Sequence, residues 1–420
     1  MSSDGSTLLG VVVLARHGDR QGFYQDLATY NASDTAITPL GETQEFQLGS
    51  LLNSLYLNES SPSFIKGIAS SSQLFNGTQV KGLWPPTSSS VIQLANGTNV
   101  TSPLNGYQYV PIESVESNED VSLEGFTSCP NLDQHTLAFY SSRAFAQKAA
   151  EVNAFLTSLV PILDGRLVAL QNIIFDFMNV QSIHNATFAA SLPTGALAQA
   201  RDLANWHEYN VFSDTSLNGI GNIAFRTMIP SVATAMQRIA NSSDPLKLHY
   251  SAISYKPFLS LFNMTGVNAN GALPPAIVNY AAPVVFEVRQ PATPRGADRA
   301  PPVQERDGRR GARRAPMTLP AFSGTDVPLS TFLGALEPAA VNTTMDWCYA
   351  CGQSSLRGAR ARRGVPACGG VDRGGRGGRG VGDGLRVLAF MGYVKFQLPN
   401  RRRRTSEAGS STDSITKESV

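Results

Sequence analysis

The sequence predicts an α/β protein with a three-layer open-sheet core and an inserted helical cap domain. Short apolar runs rich in β-branched residues recur along the chain, and segments of helical composition lie between them. Strands that alternate with helices favour a sheet covered by helices on both faces. With 420 residues, 42% of them apolar, and a mean hydropathy of −0.11, the chain can bury such a core.

The first strand is predicted at 6–15, a Val/Leu-rich run that ends in a polar pentapeptide at 16–20. Thr38 and Pro39 then provide an N-cap and a first-turn proline for a helix that continues to Leu52. Further elements are predicted from composition, as helices at 142–159 and 197–206 and as strands at 246–252 and 284–288.

These elements divide the chain into six parts. The parts are a first section of the α/β core with the polar loop at 1–130, a mainly helical cap at 131–245, a return to the core at 246–288, a disordered Arg/Pro-rich segment at 289–316, a C-terminal section of the core at 317–356, and an Arg/Gly-rich tract with a short apolar run and a basic polar tail at 357–420.

The formal net charge of +2 hides an uneven distribution. Residues 289–316 and 357–404 carry 21 of the 34 basic residues, so the rest of the chain holds 13 basic and 27 acidic residues. The basic pI thus comes from the two tracts alone, and the globular part is acidic. We therefore expect no nucleic-acid partner. The tracts are either a basic arm that binds anionic surfaces or the product of GC-rich codons read through an intron or in a shifted frame.

Four cysteines allow three disulfide pairings, and Cys348 and Cys351 also have the spacing of a zinc or redox pair. The sequence offers no second ligand pair, so we expect no metal and no cofactor. Nine Asn-x-Ser/Thr sites indicate a glycoprotein of the secretory pathway, extracellular or membrane-anchored, although the first ten residues show no signal peptide. The sites lie at Asn31, Asn58, Asn76, Asn96, Asn99, Asn185, Asn241, Asn263 and Asn342.

The pentapeptide Arg16-His17-Gly18-Asp19-Arg20 suits phosphoryl transfer. A neutral imidazole can attack phosphorus, and two arginines can bind the phosphate oxygens through bidentate hydrogen bonds. The carboxyl end of a strand in an open α/β sheet is a common place for such a site.

This motif resembles that of the histidine phosphatases, in the branch of the histidine acid phosphatases and phytases. The stretch Ile37-Thr38-Pro39-Leu40-Gly41 is similar to the family's second motif, and 83–86 and 105–111 are similar to a fungal branch described as phosphoglycerate-mutase-like. The resemblance implies an acid phosphatase acting on a phosphomonoester or another small anion. It makes His17 the nucleophile and Arg16 and Arg20 the phosphate ligands.

The sequence departs from this family at two places. The family's His-Asp proton donor falls at Ile253 and Ser254, neither of which is acidic, and its third phosphate-binding arginine has no counterpart between Leu52 and Trp84. We therefore expect an enzyme impaired towards basic leaving groups, or a non-catalytic phosphatase-fold protein that binds an anionic ligand. Asp19 and Glu208 are conceivable substitute acids, while surface or capping roles are expected for His135, His184 and His207.

The apolar run Val387–Val394 is too short to span a bilayer, but four arginines and a polar tail follow it. This order is typical of the cytoplasmic end of a membrane span, so anchoring near the C-terminus is one interpretation. A basic-tailed interaction protein is a third functional hypothesis. The sequence leaves the oligomeric state open.

Overall fold

A computed structural model of the chain describes 262 residues in fourteen stretches, and the structural statements below refer to these residues. The described ranges are 6–20, 36–68, 83, 91–93, 98–101, 120–163, 168–171, 174–268, 273–291, 312–314, 317–319, 322–324, 326–353 and 386–392. The Pro-Pro and Tyr-rich stretches at 84–86 and 105–111, Lys81, and most of the two Arg-rich tracts lie outside them.

The described strands lie towards the two ends of the chain, and a run of helices lies between them in the middle of the chain. The strands are β1 (Thr7–Arg16), β2 (Val91–Gln93), β3 (Asn99–Thr101), β4 (Leu248–Ile253), β5 (Pro283–Gln290), β6 (Ala312–Arg314), β7 (Met317–Leu319), β8 (Phe322–Gly324), β9 (Asp326–Pro328) and β10 (Arg386–Gly392). The α-helices are α1 (Pro39–Leu52), α2 (Pro130–Tyr140), α3 (Arg143–Leu159), α4 (Ile174–His184), α5 (Ala186–Ser191), α6 (Ala196–Val211), α7 (Ile223–Arg226), α8 (Ile229–Ala240), α9 (Lys256–Thr265), α10 (Leu329–Leu336) and α11 (Thr344–Cys351).

An open sheet forms the centre of the core, with the strand order β4-β1-β5-β10-β6 and with β9 also paired to β10. β1 is parallel to β4 and antiparallel to β5. β1 is therefore an interior strand, and its alternating side chains are buried on both faces.

The two faces of the sheet are covered by different helices. Val11 and Val13 of β1 belong to an apolar cluster with Leu48 and Leu52 of α1. Val12 and Leu14 point into a second, larger cluster with residues of α8, α9 and α10. The predicted α/β class, with a helical layer on each face of an open sheet, is confirmed.

The cap consists of helices from the middle of the chain with an apolar core of their own, formed mainly by residues of α3, α4 and α6. Helix α8 falls within the predicted cap range 131–245, yet it packs on β1 as part of the core layer, with Met236 and Ile239 fully buried. Helix α11 packs against α2, and a disulfide joins Cys129 to Cys351 beside the buried Trp347.

The expectation of disorder throughout 289–316 needs correction at both ends of the segment. The segment predicted to be disordered from residue 289 begins instead with ordered strand, because Arg289 is buried and donates through Nε to Glu287 Oε2 at 2.6 Å. Residues 312–314 form a further short strand of the same sheet.

The described part of the C-terminal apolar run, Arg386–Gly392, is an interior strand hydrogen-bonded to β5 on one side and to β6 and β9 on the other. No helix within the described ranges is long and apolar enough to cross a membrane.

Candidate active site

The candidate site starts where β1 ends. The backbone N–H of His17 donates to Ile253 O of the parallel neighbour β4 at 3.3 Å, and His17 O accepts from the N–H of Ala281 at 3.0 Å. Arg16 N–H also donates, to Ala282 O, at 3.1 Å. The polar loop is therefore fixed by the strand on one side and by the segment preceding β5 on the other.

Arg16 is buried in an aromatic enclosure. Its guanidinium carbon lies 4.4 Å from the ring centre of Tyr280 and 5.3 Å from that of Tyr255, and its Nη1 donates to Val278 O. Burial lowers the pKa of Arg16, but arginine remains charged because its ordinary pKa is so high. Its Nε has no hydrogen-bond partner among the described residues. A buried cation thus keeps one donor for another group.

The imidazole of His17 is neutral, and its Nε2 is unprotonated, as nucleophilic attack requires. Its Nδ1 lies 2.7 Å from Gly18 O, and since a carbonyl can only accept, Nδ1 carries the proton and Nε2 keeps its lone pair. Burial, followed by the charges of Arg16 and Arg20, lowers the pKa of His17 to about 3, and the contact with Gly18 O opposes this shift. The imidazole is therefore neutral at mildly acidic pH.

The loop is held against the start of α1 by two glycines in close contact. A Cβ atom on Gly18 would lie 2.4 Å from Gly41 O, and one on Gly41 would lie 2.0 Å from Asp19 O. The close approach lets Gly18 N–H donate to Glu45 Oε1 at 2.9 Å and Asp19 N–H to Gln44 Oε1 at 2.7 Å. The first turns of α1 thus hold the backbone of the polar loop.

Asp19 connects the loop to the cap. Its buried carboxylate accepts through Oδ2 from the hydroxyl of Thr38 at 2.6 Å, and the same oxygen lies 2.7 Å from His184 Nε2. His184 is the last residue of α4. The sequence predicts a surface or capping role for it and does not reveal this contact with Asp19.

Arg20 makes a second connection to the same helix. Its Nη2 lies 2.9 Å from Asp176 Oδ1 and its Nη1 lies 3.3 Å from Asp176 Oδ2, a bidentate ion pair with the first turn of α4. Asp176 lies in no recognisable motif, so sequence analysis does not single it out. Arg16, His17 and Arg20 lie on one loop, and a cap carboxylate holds one of the two arginines.

The residues at the expected donor position lie beside Arg16 and His17. Ile253 pairs with Arg16 in the register of β4 and β1, and Ser254 follows it. The Ser254 hydroxyl is buried, with no hydrogen-bond partner within the described part of the chain. Neither residue supplies a carboxylic acid.

Glu208, one of the conceivable substitute acids, belongs to a hydrogen-bonded chain behind this position. Its Oε2 accepts from the Tyr255 hydroxyl at 2.6 Å, and its Oε1 lies 2.9 Å from His207 Nδ1. His207 Nε2 lies in turn 2.9 Å from the hydroxyl of Tyr140. The Tyr255 ring packs on Arg16, so Glu208 supports a residue of the site.

The described residues contain no cluster of three or more His, Cys, Asp or Glu side chains that could hold a metal ion. The Cys348/Cys351 pair is not a metal site, because Cys351 is bonded to Cys129 and Cys348 is also disulfide-bonded.

No family model matches the sequence, and no curated protein matches it. Solved structures with a similar backbone include a Hafnia alvei phytase in complex with myo-inositol hexakis sulphate, at 12% identity and a TM-score of 0.47, covering 81% of this chain and 98% of that one. A phytase from D. castellii has 11% identity and a TM-score of 0.46, covering 83% and 82%. A multiple inositol polyphosphate phosphatase from Bifidobacterium longum, in complex with phosphate, has 10% identity and a TM-score of 0.41, covering 71% and 84%.

Proposed function

We propose that this protein is a phosphomonoester hydrolase of the histidine acid phosphatase type, working through a phosphohistidine on His17. The observation that carries the proposal is the pairing of a neutral, half-buried imidazole with two buried arginines, Arg16 directly before it and Arg20 three residues after it. His17 Nε2 attacks phosphorus, the arginines stabilise charge on the non-bridging oxygens, and water then hydrolyses the phosphohistidine.

The unpartnered polar atoms support an anionic ligand at this place. Arg16 Nε and the hydroxyls of Ser254 and Tyr280 are buried without partners in the described residues. A buried donor without a partner costs roughly 1–3 kcal/mol, so unpaired donors on residues around His17 favour a ligand that accepts hydrogen bonds. A phosphoryl group has the acceptor oxygens that these donors lack.

A second candidate function is supported by the non-acidic pair Ile253 and Ser254. With no carboxylic acid at that position, the same pocket also suits a phosphatase-fold protein that binds an anion without turning it over. The two candidates share the anion site and differ only in the chemistry on the leaving-group side.

Hydrolysis of p-nitrophenyl phosphate at mildly acidic pH, compared between the native protein and His17→Ala, tests the proposal. We expect turnover that His17→Ala abolishes, and an acid-labile phosphoryl group trapped on His17 after rapid quenching. His135→Ala is the matched control, since that histidine belongs to the cap helix α2. Inorganic phosphate binding without His17-dependent turnover would establish the binding protein instead.

We also propose that the protein folds in the secretory pathway. The disulfide between Cys129 and Cys351 supports this, because such bonds form and persist in oxidising compartments. Treating the protein secreted from a eukaryotic host with a glycosidase tests it: a shift in mass is expected, and an unchanged mass would contradict glycosylation.

A further inference from the structure

Tyr280 has a buried hydroxyl next to the nucleophile. Its ring centre lies 5.7 Å from that of His17, with the ring planes tilted by 45°, and 4.4 Å from the guanidinium carbon of Arg16. The hydroxyl itself has no hydrogen-bond partner in the part of the chain that the structure describes. A tyrosine hydroxyl that is withdrawn from water usually finds a partner, so this one points to a group that arrives with the substrate.

The segment that carries Tyr280 is fixed on both sides. Val278 O before it accepts from Arg16, and Ala281 after it donates to His17 O. Ala281 has a φ of 53°, in the left-handed region that a residue with a Cβ atom seldom adopts. Asn279 Oδ1 accepts from Arg201 of the cap at 2.6 Å. A strained residue held by surrounding contacts is a common feature of positioned functional groups.

We propose, building on the phosphatase function above, that the Tyr280 hydroxyl donates the proton to the leaving alcohol in place of the absent carboxylic acid. A phenol has an ordinary pKa of about 10 and is far more acidic than an alcohol, so it can protonate a departing alkoxide. The Ser254 hydroxyl is itself an alcohol and has no such advantage. The Tyr255 hydroxyl already donates to Glu208.

The proton balance closes within the site. In the first step His17 Nε2 forms a bond to phosphorus, the bond from phosphorus to the leaving oxygen breaks, and that oxygen takes the proton of Tyr280. In the second step water attacks the phosphohistidine, gives one proton to the Tyr280 phenolate and releases phosphate from nitrogen. Tyrosine and neutral imidazole are both restored.

The charges around Tyr280 suit this cycle. Burial raises the pKa of Tyr280, which keeps the phenol protonated before the reaction, while Arg16 and Arg20 act in the opposite direction and stabilise the phenolate once it forms. Asp176 and Asp19 also face this group and favour the protonated phenol. A phenol remains a weaker acid than a carboxylic acid, so alkyl esters are expected to react more slowly than aryl esters.

The test compares leaving groups in Tyr280→Phe, which keeps the ring on Arg16 and removes only the hydroxyl. We expect kcat/KM for glycerol phosphate to fall by about 10²-fold or more, the usual range for general acid catalysis, and kcat/KM for p-nitrophenyl phosphate to change less than about threefold. The value of kcat/KM depends only on the steps up to release of the alcohol, so it reports on the first chemical step alone. Equal losses on both substrates would overturn the proposal.

Tyr250→Phe is the matched control. Tyr250 is a second tyrosine whose buried hydroxyl has no partner among the described residues, but it packs in the apolar cluster on the α1 face of the sheet. Both rates should stay unchanged in this variant. A loss of glycerol phosphate hydrolysis in Tyr250→Phe equal to that in Tyr280→Phe would overturn a specific role for Tyr280.

Replacing Tyr280 with 3-fluorotyrosine covers the case in which the phenylalanine variant does not fold. The fluorinated phenol is more acidic and nearly isosteric, so the glycerol phosphate rate should rise relative to the aryl phosphate rate; an unchanged ratio would overturn the proposal.

Native protein without any His17-dependent turnover would overturn the proposed function, whereas normal turnover with equal losses in Tyr280→Phe would overturn only the role of Tyr280.

Discussion

Asp176 binds Arg20 through both of its carboxylate oxygens, at 2.9 and 3.3 Å. One of the two loop arginines is thus neutralised by the cap, and an incoming anion has to share this arginine with a carboxylate. The cap takes part in setting the charge of the site as well as in covering it.

Asp176→Asn should therefore tighten binding of inorganic phosphate. Removing a negative charge a few ångströms from the bound anion is expected to strengthen binding on the order of tenfold, measured by isothermal titration calorimetry. Asp133→Asn provides the matched control, because Asp133 is an exposed acid in the first turn of another cap helix and should leave the affinity unchanged. Unchanged or weaker binding in Asp176→Asn would show that this carboxylate does not compete with the anion.

The stability of the protein should depend on pH through His17. Its pKa is about 3 in the folded protein and near 6.5 when unfolded, so between these values only the unfolded chain takes up the proton. Stability then falls as the pH falls through this window, by up to about 1.4 kcal/mol per pH unit.

Urea unfolding of phosphate-free protein at several pH values measures this contribution. The slope of unfolding free energy against pH should be shallower in His17→Gln, which cannot take up a proton in either state. Identical slopes in the two proteins would contradict the low pKa, and so would an NMR titration of the His17 ring with a midpoint near 6.5.

The disulfide between Cys129 and Cys351 should contribute strongly to stability, because it joins positions 222 residues apart. Replacing both cysteines by alanine is expected to lower the free energy of unfolding by about 2–5 kcal/mol. Urea unfolding can be followed by the fluorescence of Trp347, which is buried beside the bond and donates through Nε1 to Gly125 O at 2.7 Å. If the native protein with this bond reduced were as stable as the oxidised form, the prediction would be wrong.

Leu388→Pro should disrupt the sheet. Residue 388 lies in the middle of β10, opposite Glu287 of β5 and Asp326 of β9, and proline has no N–H for either ladder. The loss is expected to be about 1–3 kcal/mol, measured by urea unfolding, with Leu388→Val as the control that keeps a strand-forming residue. A proline variant as stable as the valine variant would show that β10 is not an interior strand.

Much of the framework followed from local patterns. Burial and capping leave marks on neighbouring residues, so the sequence reveals the helix start at Thr38-Pro39 and an apolar strand at 6–15, which the structure places at Thr7–Arg16. The same patterns located the polar loop with Arg16, His17 and Arg20. By contrast, the sequence does not predict the strand at 386–392, since a short apolar run does not reveal its hydrogen-bond partners.

The contacts from the cap were beyond sequence reasoning. Asp176 and His184 lie more than 150 positions from the loop residues that they contact, and Asp176 stands in no recognisable motif. Their role depends on how α4 is placed over the sheet, which is set by the packing of the cap as a whole. The position of Tyr280 is likewise set by hydrogen bonds of its neighbours' backbone, including the one that Ala281 N–H donates to His17 O.

The contact between Gly18 and Gly41 restricts how this site can vary. A methyl group at either position would meet backbone atoms, so neither glycine can be replaced while the loop and α1 keep their present distance. The two glycines lie in different motifs but are subject to the same steric restriction. A distant homologue that has kept His17 but carries a side chain at position 41 must therefore have moved α1 away from the loop. It would then lose the hydrogen bonds that the loop N–H groups donate to Gln44 and Glu45.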